Sequence, residues 1–225
     1  FGRTVEVVVY PFGDPFLLHS SNGYYYLYGS SEGVNYFTAY KSKDLLEWEF
    51  VGEIYRGGTP DSWTKNELYA PEMLEIDGKY YLFFSANPKN QPESEKEYFR
   101  LGVAVSDSPE GPFKDMYDRP IFDTVYPAID VSVLQDHDTG KFYIYYSRCC
   151  YKHPVKSQLS KWAKKNGIFD DVEESWVYGA ELRSDFSGIV GKPKLLLRPP
   201  KKMGSSQEWE DRSVMTREVN RRWTE

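Results

Sequence analysis

The stretch Asp14-Pro15-Phe16-Leu17-Leu18, followed by Asn22-Gly23 and then Tyr24-Tyr25-Tyr26-Leu27-Tyr28-Gly29-Ser30, decides the fold. It reads as strand, tight turn, strand: Asn-Gly is a strong hairpin signal, and aromatic runs favour the pleated, half-buried surface of a strand. The pattern returns as Ala70-Pro71-Glu72-Met73-Leu74, Asp77-Gly78 and Lys79-Tyr80-Tyr81-Leu82-Phe83-Phe84-Ser85. It returns again as Asp130-Val131-Ser132-Val133-Leu134, Thr139-Gly140 and Lys141-Phe142-Tyr143-Ile144-Tyr145-Tyr146-Ser147. The turn glycines 23, 78 and 140 lie 55 and then 62 residues apart, a period that belongs to propeller or array architectures. Two of the three units open with an Asp at the same register, and the middle one has Ala70 there.

Working outward, each unit gains further strands. Residues 5–9 read as an opening strand, Tyr36–Tyr40 and Glu49–Gly52 complete the first unit, and Leu101–Val105 and Tyr178–Leu182 extend the other two. The corners Ser42-Lys43-Asp44, Ser106-Asp107 and Ser184-Asp185 suit Asx-type turns, in which the side chain bonds its own backbone. Three units of about four strands thus cover most of residues 5–197, an all-β chain forming one domain over 1–225. Residues 87–98 are polar and read as a surface loop, and 151–176 as an insertion with a short helix closed by Gly167. Three blades cannot close a ring, so the chain is read as part of a longer protein: about three blades and the start of a fourth.

Composition narrows the function. A net charge of −6 gives no basic surface for nucleic acid, and no apolar run approaches bilayer length, so neither partner is expected. Aromatics reach 17% of residues, with 19 Tyr; such rings pack on sugar C–H faces while their polar tips bond hydroxyls. The adjacent pair Cys149-Cys150 reads as two small buried hydrophobes. His19, His137 and His153 have no metal-ligand spacing, and no phosphate loop, nucleophile elbow or dinucleotide fingerprint occurs.

In a propeller, residues at equivalent registers of successive blades converge on the axis, which brings Asp14 and Asp130 toward one pocket. Asp14 before Pro15 also suits a turn, whereas Asp130 inside Ala128-Ile129-Asp130-Val131 is desolvated unless it has a partner or a purpose. Paired carboxylates are what glycosyl-bond hydrolysis needs.

The Asp-Pro-Phe start, the Gly-Tyr-Tyr-Tyr-Leu-Tyr hairpin, Tyr69-Ala70-Pro71-Glu72, Ile129-Asp130-Val131 and the Ser42–Trp48 corner together resemble glycoside hydrolase family 43. The resemblance covers essentially the whole chain. It implies a five-bladed β-propeller and an inverting β-xylosidase, α-L-arabinofuranosidase or arabinanase acting on plant oligosaccharides or polysaccharides. By motif, Asp14 is the expected general base, and Asp130 the third carboxylate that orients substrate and raises the pKa of the acid. Glu225, 95 residues beyond Asp130 and after Trp223-Thr224, matches the family's general acid; Glu218 and Glu210 are the other acidic residues considered. Tyr69, Trp63 and Arg148 are the expected substrate contacts, each with an alternative as a packed or surface residue. No cofactor is required; the structural calcium of some members rests on a His of a later blade and is not indicated here. Two other readings fit the same repeats: a related fructan hydrolase or glycoside phosphorylase, and a non-catalytic propeller that binds glycan or protein.

Overall fold

The computed structural model describes residues 12–30, 33–204 and 219–222. The strand expected over 5–9 and the acidic residues Glu210, Glu218 and Glu225 lie outside the described residues. Three four-stranded antiparallel sheets make up the body. The first is β1 (Gly13–His19), β2 (Tyr25–Ser30), β3 (Tyr36–Ser42) and β4 (Glu49–Arg56), each paired with the next. The second repeats that order with β5 (Thr64–Ile76), β6 (Lys79–Pro88), β7 (Arg100–Ser106) and β8 (Lys114–Asp115). The third uses β9 (Ala128–Gln135), β10 (Phe142–Arg148), β12 (Trp176–Leu182) and β13 (Ile189–Leu197), with helix α1 (Gln158–Lys165) and strand β11 (Glu173–Glu174) inserted between β10 and β12. A short β14 (Arg221–Arg222) runs parallel to β11.

Local chemistry explains the connections. Gly23, Gly78 and Gly140 all take positive φ, as the hairpin turns require. At the first corner the Asp44 carboxylate accepts the backbone N–H groups of Leu46 and Glu47, as expected of an Asx turn. The second corner differs, because Ser106 and Ser108 hydroxyls accept there while Asp107 pairs with Lys79. Helix α1 has a capping box between Ser157 and Ser160 and ends at Asn166, with Gly167 following at φ 65°.

The sheets stack face to face through the middle one. In β6, Tyr80, Leu82 and Phe84 pack toward Tyr26, Tyr28, Phe37 and Tyr55 of the first sheet. Phe83, with Leu101 and Val103 of β7, packs the opposite way, onto Val131, Val133, Phe142, Ile144 and Tyr146 of the third. Burial on both faces explains why β6 lacks the polar alternation of a solvent-facing strand. Trp63 belongs to this core: it is buried and stacks on Phe84 with ring centroids 6.0 Å apart. Its expected place as a sugar platform is therefore corrected. The bulky ring is used to close the gap above Gly102.

Two polar joints repeat between successive sheets. The hydroxyl of Ser30, which ends β2, accepts the backbone N–H of Ala70 at 3.0 Å; that of Ser85 in β6 accepts the N–H of Asp130 at 3.1 Å. Farther along the strands, Glu75 accepts from Ser21, and Glu72 accepts from the N–H of Val133 at 2.7 Å and the hydroxyl of Ser132.

Two measurements check this packing. A Cβ at Gly102 would stand 2.5 Å from Trp63 Cζ2 and 2.7 Å from Phe84 Cζ, so Gly102→Ala is expected to cost about 1–3 kcal/mol in urea unfolding. Burial pushes the Glu72 carboxyl above its ordinary 4.5, against the bonds from Val133 and Ser132 that favour its charge. The folded chain therefore holds that proton more tightly than the unfolded one. Stability is lost as pH rises from near 4.5 through the folded value, and Glu72→Gln, which keeps an acceptor oxygen, is expected to flatten that segment of the stability–pH curve.

Candidate active site

The residues at the shared register of the three units adopt the same unusual backbone. Asp14, Ala70 and Asp130 have φ of 48°, 48° and 55°, a left-handed conformation that bulky L-residues seldom take. The ladder shifts register at each of these places, between Gly13 and Phe16, between Tyr69 and Glu72, and opposite Tyr145 and Ser147. A bulge of this kind re-aims one side chain out of the pleat, and such bulges concentrate beside active sites.

Here the side chains are aimed at one place. Asp14 and Asp130 line a single open cavity of about 970 Å³, together with Tyr69, Glu67, Phe99 and Ser147. The volume falls within the range of small-ligand clefts. The Ser30 hydroxyl donates to Asp14 Oδ2 at 2.7 Å while accepting from Ala70 N–H, so one buried serine fixes both the carboxylate and the neighbouring sheet. Ser147 lies in β10 at the register that Ser30 and Ser85 occupy in their own sheets. The Tyr69 ring meets Phe99 edge-on at 5.6 Å, and its hydroxyl donates to Glu67.

Part of the wall comes from segments far away in the chain. Strand β6 runs on to Pro88, into the stretch expected to be loop, and buried Asn87 then organises the residues that follow. Its side chain accepts from Tyr98 N–H at 2.9 Å and donates to Lys96 carbonyl at 3.1 Å, which brings Lys96 and Glu97 to the cavity. Arg221 joins the same part of the wall, 3.8 Å from Glu97 and 3.2 Å from Glu173. It is held there by its neighbour: Arg222, fully buried, pairs with the equally buried Glu174 at 3.2 Å. Arg198 and the Trp176 indole N–H bond the other oxygen of Glu174, so its charge is compensated without water. Lys96, Glu97, Arg221 and Glu67 carry no sequence signal for this role, because their positions depend on the loop, the insertion and a bulge.

Arg148 is placed elsewhere. Its guanidinium lies over the Tyr126 ring at 4.6 Å, its Nε is buried, and it does not line the cavity, so its expected contact with sugar is corrected. Stacking on an aromatic face satisfies a cation that the strand carries inward. Cys149 and Cys150 are not joined in a disulfide and are buried in the cavity wall. The hydrogen bond between the two thiols and burial push the Cys149 thiol well up, which keeps it protonated and unreactive as a nucleophile. Among the described residues no cluster of His, Cys, Asp and Glu could hold a metal ion. The arrangement is thus two re-aimed carboxylates and an aromatic wall on one open cleft, an arrangement suited to acid–base chemistry on a polar, ring-shaped ligand.

Known proteins resemble the chain throughout. Over 108 residues it is 40% identical to a xylosidase/arabinosidase of Humicola insolens, covering 48% of this chain and 28% of that protein. Over 161 residues it is 28% identical to a xylosidase/arabinosidase of Bacteroides ovatus, covering 70% of this chain and 46% of the relative. Among solved structures, a thermostable family-43 glycoside hydrolase superposes with a TM-score of 0.75 at 27% identity, covering 96% of this chain and 58% of that one. A compost-metagenome β-xylosidase/α-arabinofuranosidase, solved with xylotriose, gives 0.58 at 26% identity over 82% of this chain and 58% of its own. The chain therefore spans about half the length, or less, of these relatives. The model of glycosyl hydrolases family 43 matches residues 6–209, and the chain belongs to that family.

Proposed function

We propose that the chain forms part of an inverting glycoside hydrolase that cleaves arabinofuranosyl or xylosyl linkages in oligosaccharides derived from plant polysaccharide. The observation that carries this reading is the convergence of Asp14 and Asp130, from equivalent strained positions of two sheets, on one cavity with Tyr69. The names of its relatives, xylosidase/arabinosidase and endo-arabinanase, support a pentosyl substrate. The three observed sheets are read as the first blades of a five-bladed ring.

In this reading Asp14, held by Ser30, removes a proton from a water on the face of the sugar opposite the leaving group. The water oxygen bonds to the anomeric carbon as the glycosidic C–O bond breaks, and a general acid gives its proton to the departing oxygen. Glu225, outside the described residues, is assigned that acid role. Asp130 is the third carboxylate: its negative charge favours the protonated acid. Tyr69 supplies a ring for the sugar's C–H face. Base and acid are separated by about 6.5–9.5 Å in inverting enzymes, which leaves room for the water.

Assays on aryl xylosides, aryl arabinofuranosides and the matching trisaccharides test the assignment, with proton NMR of the first product anomer. Inversion is expected, and a retained anomer would overturn the mechanism. Loss of the base in Asp14→Ala should lower kcat by about 10²–10⁴-fold, and undiminished turnover would remove Asp14 from the mechanism. In Asp130→Asn the acid loses its neighbouring negative charge and ionises at lower pH. The basic limb of the kcat/KM profile should therefore move to lower pH, an effect that loss of folded protein alone would not produce.

A further inference from the structure

The middle sheet has no carboxylate at the shared register, where Ala70 replaces an acid. Three residues earlier, Glu67 adopts the same left-handed backbone, with φ 59°, inside the irregular part of β5. Glutamate is a costly choice at such a position: unlike Gly it meets a steric penalty, and unlike Asn or Asp its longer side chain gains no ready local backbone bond. The conformation delivers its carboxylate to the cavity that Asp14 and Asp130 line. No ion pair holds Glu67 among the described residues, and its hydrogen bond there is the one received at Oε2 from the Tyr69 hydroxyl. A carboxylate has about four acceptor sites, so Oε1 is left to accept from whatever O–H donors enter the cleft. The Tyr69 ring that orients it, with Phe99 behind, offers an apolar surface at the same point.

We infer that Glu67, oriented by Tyr69, is a substrate-binding residue that accepts hydroxyl protons of the pentosyl unit. It thereby supplies from the middle sheet the carboxylate that Ala70 lacks. This rests on the glycoside-hydrolase reading of the cavity. Glu67 takes no part in the proton transfers, so its contribution is to which sugar is held and how tightly. A shorter residue at this strained position would leave sugar hydroxyls without an acceptor, and an uncharged one would offer a weaker acceptor.

The test compares Glu67→Gln and Glu67→Gly with the unsubstituted full-length protein, using xylotriose and α-1,5-arabinotriose as probes in calorimetry and turnover assays. For whichever trisaccharide the protein takes, Glu67→Gly is expected to raise Kd and KM by at least about tenfold while kcat changes by only a few-fold. Its melting temperature should hold or rise, since glycine suits a positive φ. Glu67→Gln, which keeps an acceptor oxygen but not the charge, should fall between. Affinity and KM unchanged in both variants would overturn the inference, as would a fall in melting temperature that accounts for the lost binding. Binding of neither trisaccharide by the unsubstituted protein would instead remove the glycoside reading, and this inference with it.

Discussion

The first strand of each sheet carries a residue forced into left-handed backbone, and in the second and third sheets its N–H is fastened by a serine hydroxyl from the sheet before. That joint is the constraint on which the molecule is built. The bulge turns a side chain out of the pleat, and the serine fixes where the next sheet sits relative to it. Ser30 shows the economy of the device, because its one hydroxyl donates to Asp14 and accepts from Ala70. Orientation of the Asp14 carboxylate and docking of the neighbouring sheet are the same event. A strained backbone persists only where its surroundings over-determine it, and here the surroundings are the stacked cores on both faces of the middle sheet.

The cavity is finished by parts that are not repeats. Asn87 folds the β6–β7 connection so that Lys96 and Glu97 reach the wall, and Lys152 clamps the same connection to the third sheet through Glu95. The buried pair of Glu174 and Arg222 fixes a two-residue strand and with it Arg221. A buried ion pair adds little net stability but is costly to break, which suits an element whose task is registration. The repeats thus supply the re-aimed carboxylates, and the insertions supply a charged rim that differs from one unit to the next.

Much of the fold was legible because its signals are local. Turn glycines, aromatic alternation and the Ser-x-Asp corner identified four strands of the first unit and three of each of the other two, and the helix near Ser160–Gly167 was found from its closing glycine. Strand ends were less legible: β6 extends to Pro88 because Asn87 finds its partners in Lys96 and Tyr98, which a local pattern does not reveal. Of the expected site residues, Asp14, Asp130 and Tyr69 coincide with the repeat, and these three line one cavity. Trp63 and Arg148, each with a packed or surface alternative in the sequence, do not line that cavity. Trp63 fills the space over Gly102, and Arg148 lies on Tyr126.

By itself the sequence determined three hairpin-based sheets and the common register of Asp14, Ala70 and Asp130, since side-chain alternation and turn chemistry act over a few residues. Tertiary structure alone decided that two of those positions face one cleft, and that Glu67, Glu97 and Arg221 join them while Trp63 and Arg148 do not. The reason is that facing depends on how whole sheets stack and where distant segments are pinned. Those are contacts between residues tens of positions apart, and no local pattern encodes them.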